Sequence, residues 1–379
     1  YGKRKIPAPE NPRMKILVDD EDEQKVVEKK IKPWNDIFSK AAPKLDLKGN
    51  EGEIPNSRLQ LEYVHGYRCY DARNNIRYNK DGNLIYHTAQ IGIQLNLKAI
   101  SGGKSGRLQR FAFGNQDDIL AFDSFGEYCA TGDLGEKPTI SIWNNLDMST
   151  VITVAPSSLK KGIGMLCFSD DGKHLAVCCL DVKNQIFIFD FQALLASANA
   201  KSESRAEIIK QAIRYELEGP KSRILDIKFL RGDNEALAFG TVEGLYFIDA
   251  GTEGLRIYDS TGWSSEKTIE QTPCLTIGFC KNDTIVGTQT GTILQVKGQH
   301  IFEAHKDAHK GPITSIISRP NDAGFLSGGS DGKIIYWSAD FKKGLTIDIN
   351  LEKDRLGILM PKIRALCFDP TMTKLAIGT

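Results

Sequence analysis

A strand-like apolar run recurs six times along this chain, and that repeat limits its possible folds more than any other property. It reads Ile119-Leu-Ala-Phe, Gly164-Met-Leu-Cys-Phe-Ser, Ile224-Leu-Asp-Ile-Lys-Phe, Cys274-Leu-Thr-Ile-Gly-Phe, Ile313-Thr-Ser-Ile-Ile-Ser and Ile363-Arg-Ala-Leu-Cys-Phe. A second run follows each of the first five, closing at Trp143, Phe189, Phe247, Val296 and Trp337. Those closing residues lie 46, 58, 49 and 41 positions apart, near the ~40–45-residue period of a four-stranded propeller blade. Turn pairs such as Asp81-Gly82, Asp171-Gly172 and Asp331-Gly332 separate the runs, as hairpins require. In the longest gap, residues 192–215 are Ala-rich and contain Glu207-Ile-Ile-Lys-Gln-Ala-Ile, which predicts a helical insertion between blades.

Blades in a row would leave unpaired strand edges at both ends, and closing the circle removes them. The expected fold is therefore an all-β propeller with residues 101–379 supplying blades. The chain from Asn75 to Leu97 is the remaining source of strands to complete a seven-bladed ring. One blade carries the side chains of a WD repeat. His309 precedes its inner strand, Ser327 lies on the next, Asp331 sits in the turn and Trp337 ends the third. These four predict a buried hydrogen-bond chain. Elsewhere Phe189, Phe247 and Val296 stand where Trp337 does, so those blades are expected to hold together by apolar packing.

Residues 1–57 have a different texture. They hold six prolines (Pro7, Pro9, Pro12, Pro33, Pro43 and Pro55), a basic Lys3-Arg4-Lys5 and an acidic run from Asp19 to Glu23. So few apolar residues cannot offset the entropy of ordering a core, which predicts an extended or disordered arm. Trp34, Ile37 and Phe38 share one face of a short helical turn and form a candidate anchor. Whether that anchor docks on a partner or on the arm's own domain stays open at this point.

Charge narrows the function classes. Across 379 residues, 49 Lys and Arg balance 48 Asp and Glu, which argues against a dedicated nucleic-acid coat or a polybasic membrane anchor. The longest apolar run, Leu175 to Leu180, is strand-length, far short of the ~20 residues of a spanning helix. The chain thus reads as soluble, with no membrane or nucleic-acid partner. None of the eight cysteines forms Cys-x-x-Cys, and most lie in apolar runs, which predicts reduced, buried thiols in an intracellular protein.

No catalytic or metal constellation emerges, and neither an enzyme activity nor a cofactor is expected. His305 and His309 are four apart, but Gly311-Pro312 and the strand pattern rule out the long helix that would align them. Ser101-Gly-Gly-Lys-Ser-Gly lacks phosphate-loop spacing and no helix pattern follows it. Asp19-Asp-Glu-Asp-Glu lacks the glycine and alternating oxygen ligands of a calcium loop.

Residues 58–100 contain Leu61-Glu-Tyr-Val-His-Gly-Tyr-Arg-Cys-Tyr-Asp-Ala-Arg-Asn-Asn-Ile-Arg-Tyr, followed by Gly82-Asn-Leu-Ile-Tyr-His-Thr-Ala-Gln-Ile-Gly. This segment resembles the HELP motif of the echinoderm microtubule-associated protein-like family. The likeness continues through Ala130-Thr-Gly-Asp-Leu-Gly-Glu-Lys-Pro-Thr-Ile-Ser-Ile-Trp and Leu326-Ser-Gly-Gly-Ser-Asp-Gly-Lys-Ile-Ile-Tyr-Trp, spanning roughly 58–379. Family blades open with Gly-His where this chain has Gly114-Asn115, so a broken polar network is expected there. Family members carry two fused propellers, whereas this chain stops midway through a blade, which implies that a second propeller is missing.

The resemblance implies a non-enzymatic microtubule-associated protein of the cytoskeleton, in cytoplasm or a ciliary axoneme, binding the tubulin lattice through disc and arm. Other microtubule-associated or axonemal proteins are further expected partners. A propeller scaffold for a multiprotein complex, without tubulin contact, is the alternative. Because tubulin is acidic, binding would need basic residues gathered on one face. Candidate contacts are Lys98, Lys104, Arg107 and Arg110 near the first blade, and Lys160 and Lys161 at a blade edge.

Overall fold

The computed structural model describes residues 60–379 apart from 101–105, 201, 252–253, 262–269, 353–356 and 358–360. The arm, with its candidate anchor Trp34, Ile37 and Phe38, lies outside the described residues, as does Lys104. Among the described residues the strands form seven antiparallel sheets, six of four strands and one of two. Each sheet is a blade, and the chain is an all-β propeller.

Blade 1 comes from the segment that follows the tyrosine-rich run: Arg77–Tyr78, Leu84–Thr88, Ile91–Leu95 and Gln109–Phe113. The next six blades start on Ile119–Phe125, Ile163–Phe168, Ile224–Leu230, Cys274–Cys280, Ile313–Ser318 and Ala365–Phe368. These are the six recurring runs. Trp143, Phe189, Phe247, Val296 and Trp337 all fall on third strands of their blades and are buried. Blade 7 contributes Ala365–Phe368 and Leu375–Gly378. It packs on blade 1 through Ile76, Ala365 and Ala376, with Tyr67, Tyr78 and Tyr86 around them. That contact closes the ring without any shared strand.

Blade-to-blade spacing depends on glycine at second strands. A Cβ on Gly132 would stand 2.4 Å from Ile163 of the next blade, and one on Gly328 would stand 2.5 Å from Ile363. Only the missing side chain lets neighbouring sheets approach so closely.

The helical insertion sits elsewhere than expected. Helices Phe191–Ala198 and Ser202–Ala212 lie between the third and fourth strands of blade 3, not between blades. Asp190 caps the first, its carboxylate accepting from the Ala193 N–H at 2.9 Å. The fourth strand, Ile213–Leu217, then pairs with Ile186–Asp190. Its Ile-Arg-Tyr-Glu-Leu alternation marks a half-buried strand and is a more reliable guide than the alanines before it.

Candidate functional site

In blade 6 the four residues of the WD pattern form one chain of hydrogen bonds. The Trp337 indole N–H donates to Ser327 Oγ at 2.8 Å, and Ser327 Oγ lies 2.8 Å from His309 Nε2. His309 Nδ1 lies 2.9 Å from Asp331 Oδ1. A carboxylate only accepts, so Nδ1 carries the proton and the Ser327 hydroxyl donates to Nε2. The backbone N–H groups of Lys310 and Lys333 also donate to Asp331, at 3.0 and 3.2 Å. Burial alone would raise the Asp331 carboxyl, but these donors outweigh it and hold it below the ordinary range.

Blade 2 corrects the expectation that Gly114-Asn115 breaks the network. The Thr131 hydroxyl donates to Asn115 Oδ1 at 2.7 Å, and the Trp143 indole donates to Thr131 Oγ1 at 3.3 Å. The Asn115 amide reaches Asp133 at 3.5 Å, and the Gln116 N–H donates to the same carboxylate at 2.9 Å. An amide offers one acceptor and two donors, so it can span the gap an imidazole spans in blade 6. The wiring survives with a different connector.

The segment 71–77 is the feature that the sequence reading missed. It crosses the centre of the ring and touches the innermost strands of four blades and the residue just before that of a fifth. Arg73 donates to the Leu225 carbonyl in blade 4 at 2.9 Å, and the Asn74 amide reaches Thr276 in blade 5 at 3.4 Å. Ser315 of blade 6 donates to Asn74 Oδ1 at 2.7 Å, and the Asn74 N–H donates to the Arg364 carbonyl beside blade 7 at 3.1 Å. Arg77 pairs with Asp123 of blade 2 at 2.7 Å. Asp226 and Lys228 approach from blade 4. Burial would neutralise Asp123 and Lys228, yet Lys228 and Arg77 hold Asp123 low, and Asp123 and Asp226 hold Lys228 high. A signal was present, because Asp123, Asp226 and Lys228 are charges inside otherwise apolar inner-strand runs.

The proposed tubulin contacts are not brought together. Lys98, on the short helix Leu97–Ile100, and Arg107 are exposed in the connection between the third and fourth strands of blade 1. Arg110 is the second residue of the fourth strand and donates to the Leu146 carbonyl at 3.3 Å. Lys160 and Lys161 are exposed in the connection from blade 2 to blade 3. Strands alternate in direction, so third-to-fourth connections and blade-to-blade connections lie at opposite ends of the blades. The two lysine and arginine groups therefore occupy opposite rims of the disc.

Six of the eight cysteines are buried and all are free. Burial raises the thiols of Cys129, Cys167, Cys178 and Cys274 well above their ordinary value, which suits packing and not nucleophilic chemistry. Among the described residues no group of three His, Cys, Asp or Glu is placed to hold a metal, and no helix is long and apolar enough to cross a membrane.

Comparison with known proteins agrees with this architecture. Residues 54–93 match the HELP motif, and residues 298–338 match the WD domain, G-beta repeat. The chain is a β-propeller that carries one match to each of these family models. Human echinoderm microtubule-associated protein-like 1 is 25% identical over 306 residues, covering 77% of this chain and 34% of that protein. The ciliary WD repeat-containing protein ctxp80 of Euplotoides octocarinatus is 27% identical over 320 residues, covering 78% of this chain and 40% of that one. The chain thus spans about a third to two fifths of the curated relatives it matches. The solved structure of U3-55K superposes with a TM-score of 0.59 at 12% identity, covering 83% of this chain and 90% of that one. That likeness concerns the fold alone.

Proposed function

We propose that this HELP-motif propeller is a microtubule-associated recognition module, with no catalytic role, that binds the tubulin lattice. The observation that carries the reading is the pairing of a HELP segment with a WD-repeat ring. Relatives that match 77% and 78% of this chain are named as an echinoderm microtubule-associated protein-like protein and a ciliary WD repeat-containing protein. The geometry supports it, since a ring tied across its centre presents two rigid, loop-lined faces suited to a protein surface. A cytoskeletal setting, in cytoplasm or a ciliary axoneme, and other microtubule-associated partners follow from the same reading. The arm 1–57 serves as a strap adding affinity along the lattice, with Trp34, Ile37 and Phe38 as its apolar anchor.

Separation of the candidate basic residues onto two rims favours one face at a time as the docking surface. Lys160 and Lys161 would serve one face, and Lys98, Arg107 and Arg110 the other. Co-sedimentation of the purified chain with polymerised tubulin tests the proposal. Saturable pelleting that weakens with added salt is the expected result. Absence of pelleting would leave the ring as a scaffold for other proteins.

A further inference from the structure

A cavity of about 90 Å³ lies beside the central segment, between Asp71–Asn74 and the inner strands of blades 2, 3 and 4. A single water needs only ~10–15 Å³ by this kind of measure, so the space admits several waters or one small polyatomic ion. Its walls include Arg73, Arg77, Arg223 and Lys228 together with Asp71 and Asp226. Asp71 is already held by Arg68 through two bonds of 2.7 Å, and Arg77 is paired with Asp123. Among the described residues no carboxylate lies within ion-pair distance of Arg73, Arg223 or Lys228.

The neighbourhood is therefore a concentration of positive charge with unused donors. Arg364 does not line the cavity, but its charge is close enough to repel the Arg73 guanidinium. With the Arg77–Asp123 and Arg68–Asp71 pairs set aside, four cations (Arg73, Arg223, Lys228 and Arg364) face one carboxylate, Asp226, which already accepts from the Ile227 and Ile277 N–H groups at 2.9 and 2.8 Å. Burial, and then repulsion from Arg364 and Arg223, pull the Arg73 guanidinium below its ordinary value despite the attraction of Asp226. Like charges gathered in a half-buried space are costly unless an anion sits among them. Guanidinium forks match the paired oxygens of phosphate and carboxylate better than they match chloride or water.

We infer that the central cavity is an oxyanion-binding site, formed by Arg73, Arg223 and Lys228 with support from Arg364, that takes one phosphate or carboxylate group. Arg223 and Arg364 immediately precede the inner strands of blades 4 and 7, so the site opens toward the blade-to-blade connections, on the rim that holds Lys160 and Lys161. The anion would tie blades 4 and 7 to the HELP segment from inside the ring. The oxygens come either from a free oxyanion or from an acidic side chain of a partner.

Two probes distinguish the sources, and neither involves microtubules, so this inference and the microtubule proposal fail independently. Equilibrium dialysis of the intact chain with labelled inorganic phosphate should give saturable binding at one equivalent. Thermal unfolding in sodium phosphate should lie a few degrees above that in sodium chloride of equal ionic strength. The rise should vanish in the Arg223→Gln/Arg364→Gln double variant, while its transition in chloride stays close to wild type. If an oligoglutamate peptide gives the variant-sensitive rise and phosphate does not, the site takes a partner's carboxylate. No binding of either probe to the wild-type chain, or an equal rise in the variant, would overturn the inference.

Discussion

Blades 1 and 6 each bury a histidine near the top of the ring's polar wiring, and their surroundings treat the imidazole in opposite ways. In blade 6, His309 has Asp331 on one nitrogen and Ser327 on the other. In blade 1, His87 Nε2 meets only the Asn75 amide at 3.3 Å, and Nδ1 has no partner among the described residues. Burial, with Arg68 nearby, pushes His87 down to about 3, against a weaker opposing effect of Asp118. The first histidine is a connector with a polar partner on each nitrogen, and the second is a buried neutral ring with a partner on one nitrogen only. The same residue type thus supports two kinds of blade, one cross-wired and one packed.

The largest test of the cross-wired blade is Trp337→Ala. Trp337 stacks on Phe325 at 5.8 Å and closes the Ser327 chain. Its loss should cost ~3–5 kcal/mol in chemical denaturation, and a cost below that of His309→Ala would show that the chain does not act as a unit. His309→Ala should cost ~1–3 kcal/mol by depriving Asp331 and Ser327 of one partner each. Tubulin co-sedimentation of the folded variant should be unchanged. Selective loss of pelleting at an unchanged melting temperature would make His309 a contact residue.

Acid probes the packed blade. The folded-state value of His87 lies far below its unfolded value of ~6.5. The unfolded chain therefore takes up the proton first, and the stabilisation that is complete above ~6.5 is lost as pH falls toward 3. By pH 5 the loss from this one group should be about 2 kcal/mol. Denaturation curves at pH 7 and 5 should converge in His87→Gln; an undiminished pH dependence in that variant would assign the effect to other groups. The smallest expected change is Asn115→Ala in blade 2, at ~1 kcal/mol, because the Asn115 contact to Asp133 is long. A cost equal to that of His309→Ala would put the amide connector on a par with the imidazole.

Much of the fold was readable because it rests on local alternation. Every inner strand after blade 1 shows as an apolar run, since both its faces are covered by neighbouring blades. The closing aromatic residues show for the same reason. What stayed hidden depends on distances between segments far apart in the chain. Asn115 could be recognised as a departure from Gly-His, but only coordinates place its amide within reach of both Thr131 and Asp133. Arg73 and Asn74 look like loop polarity until their partners at Leu225, Thr276 and Ser315 are known. The basic residues near the first blade and at Lys160-Lys161 are legible as charges, but strand direction decides which rim each one occupies.

The central claim is that the tied ring is a self-sufficient recognition disc to which the arm adds reach. The direct measurement removes residues 1–53, keeping the matched HELP segment 54–93 intact, and follows thermal unfolding and microtubule co-sedimentation side by side. The account predicts an unchanged melting transition with weaker but still saturable pelleting. A large fall in melting temperature, or complete loss of pelleting by a folded ring, would contradict it.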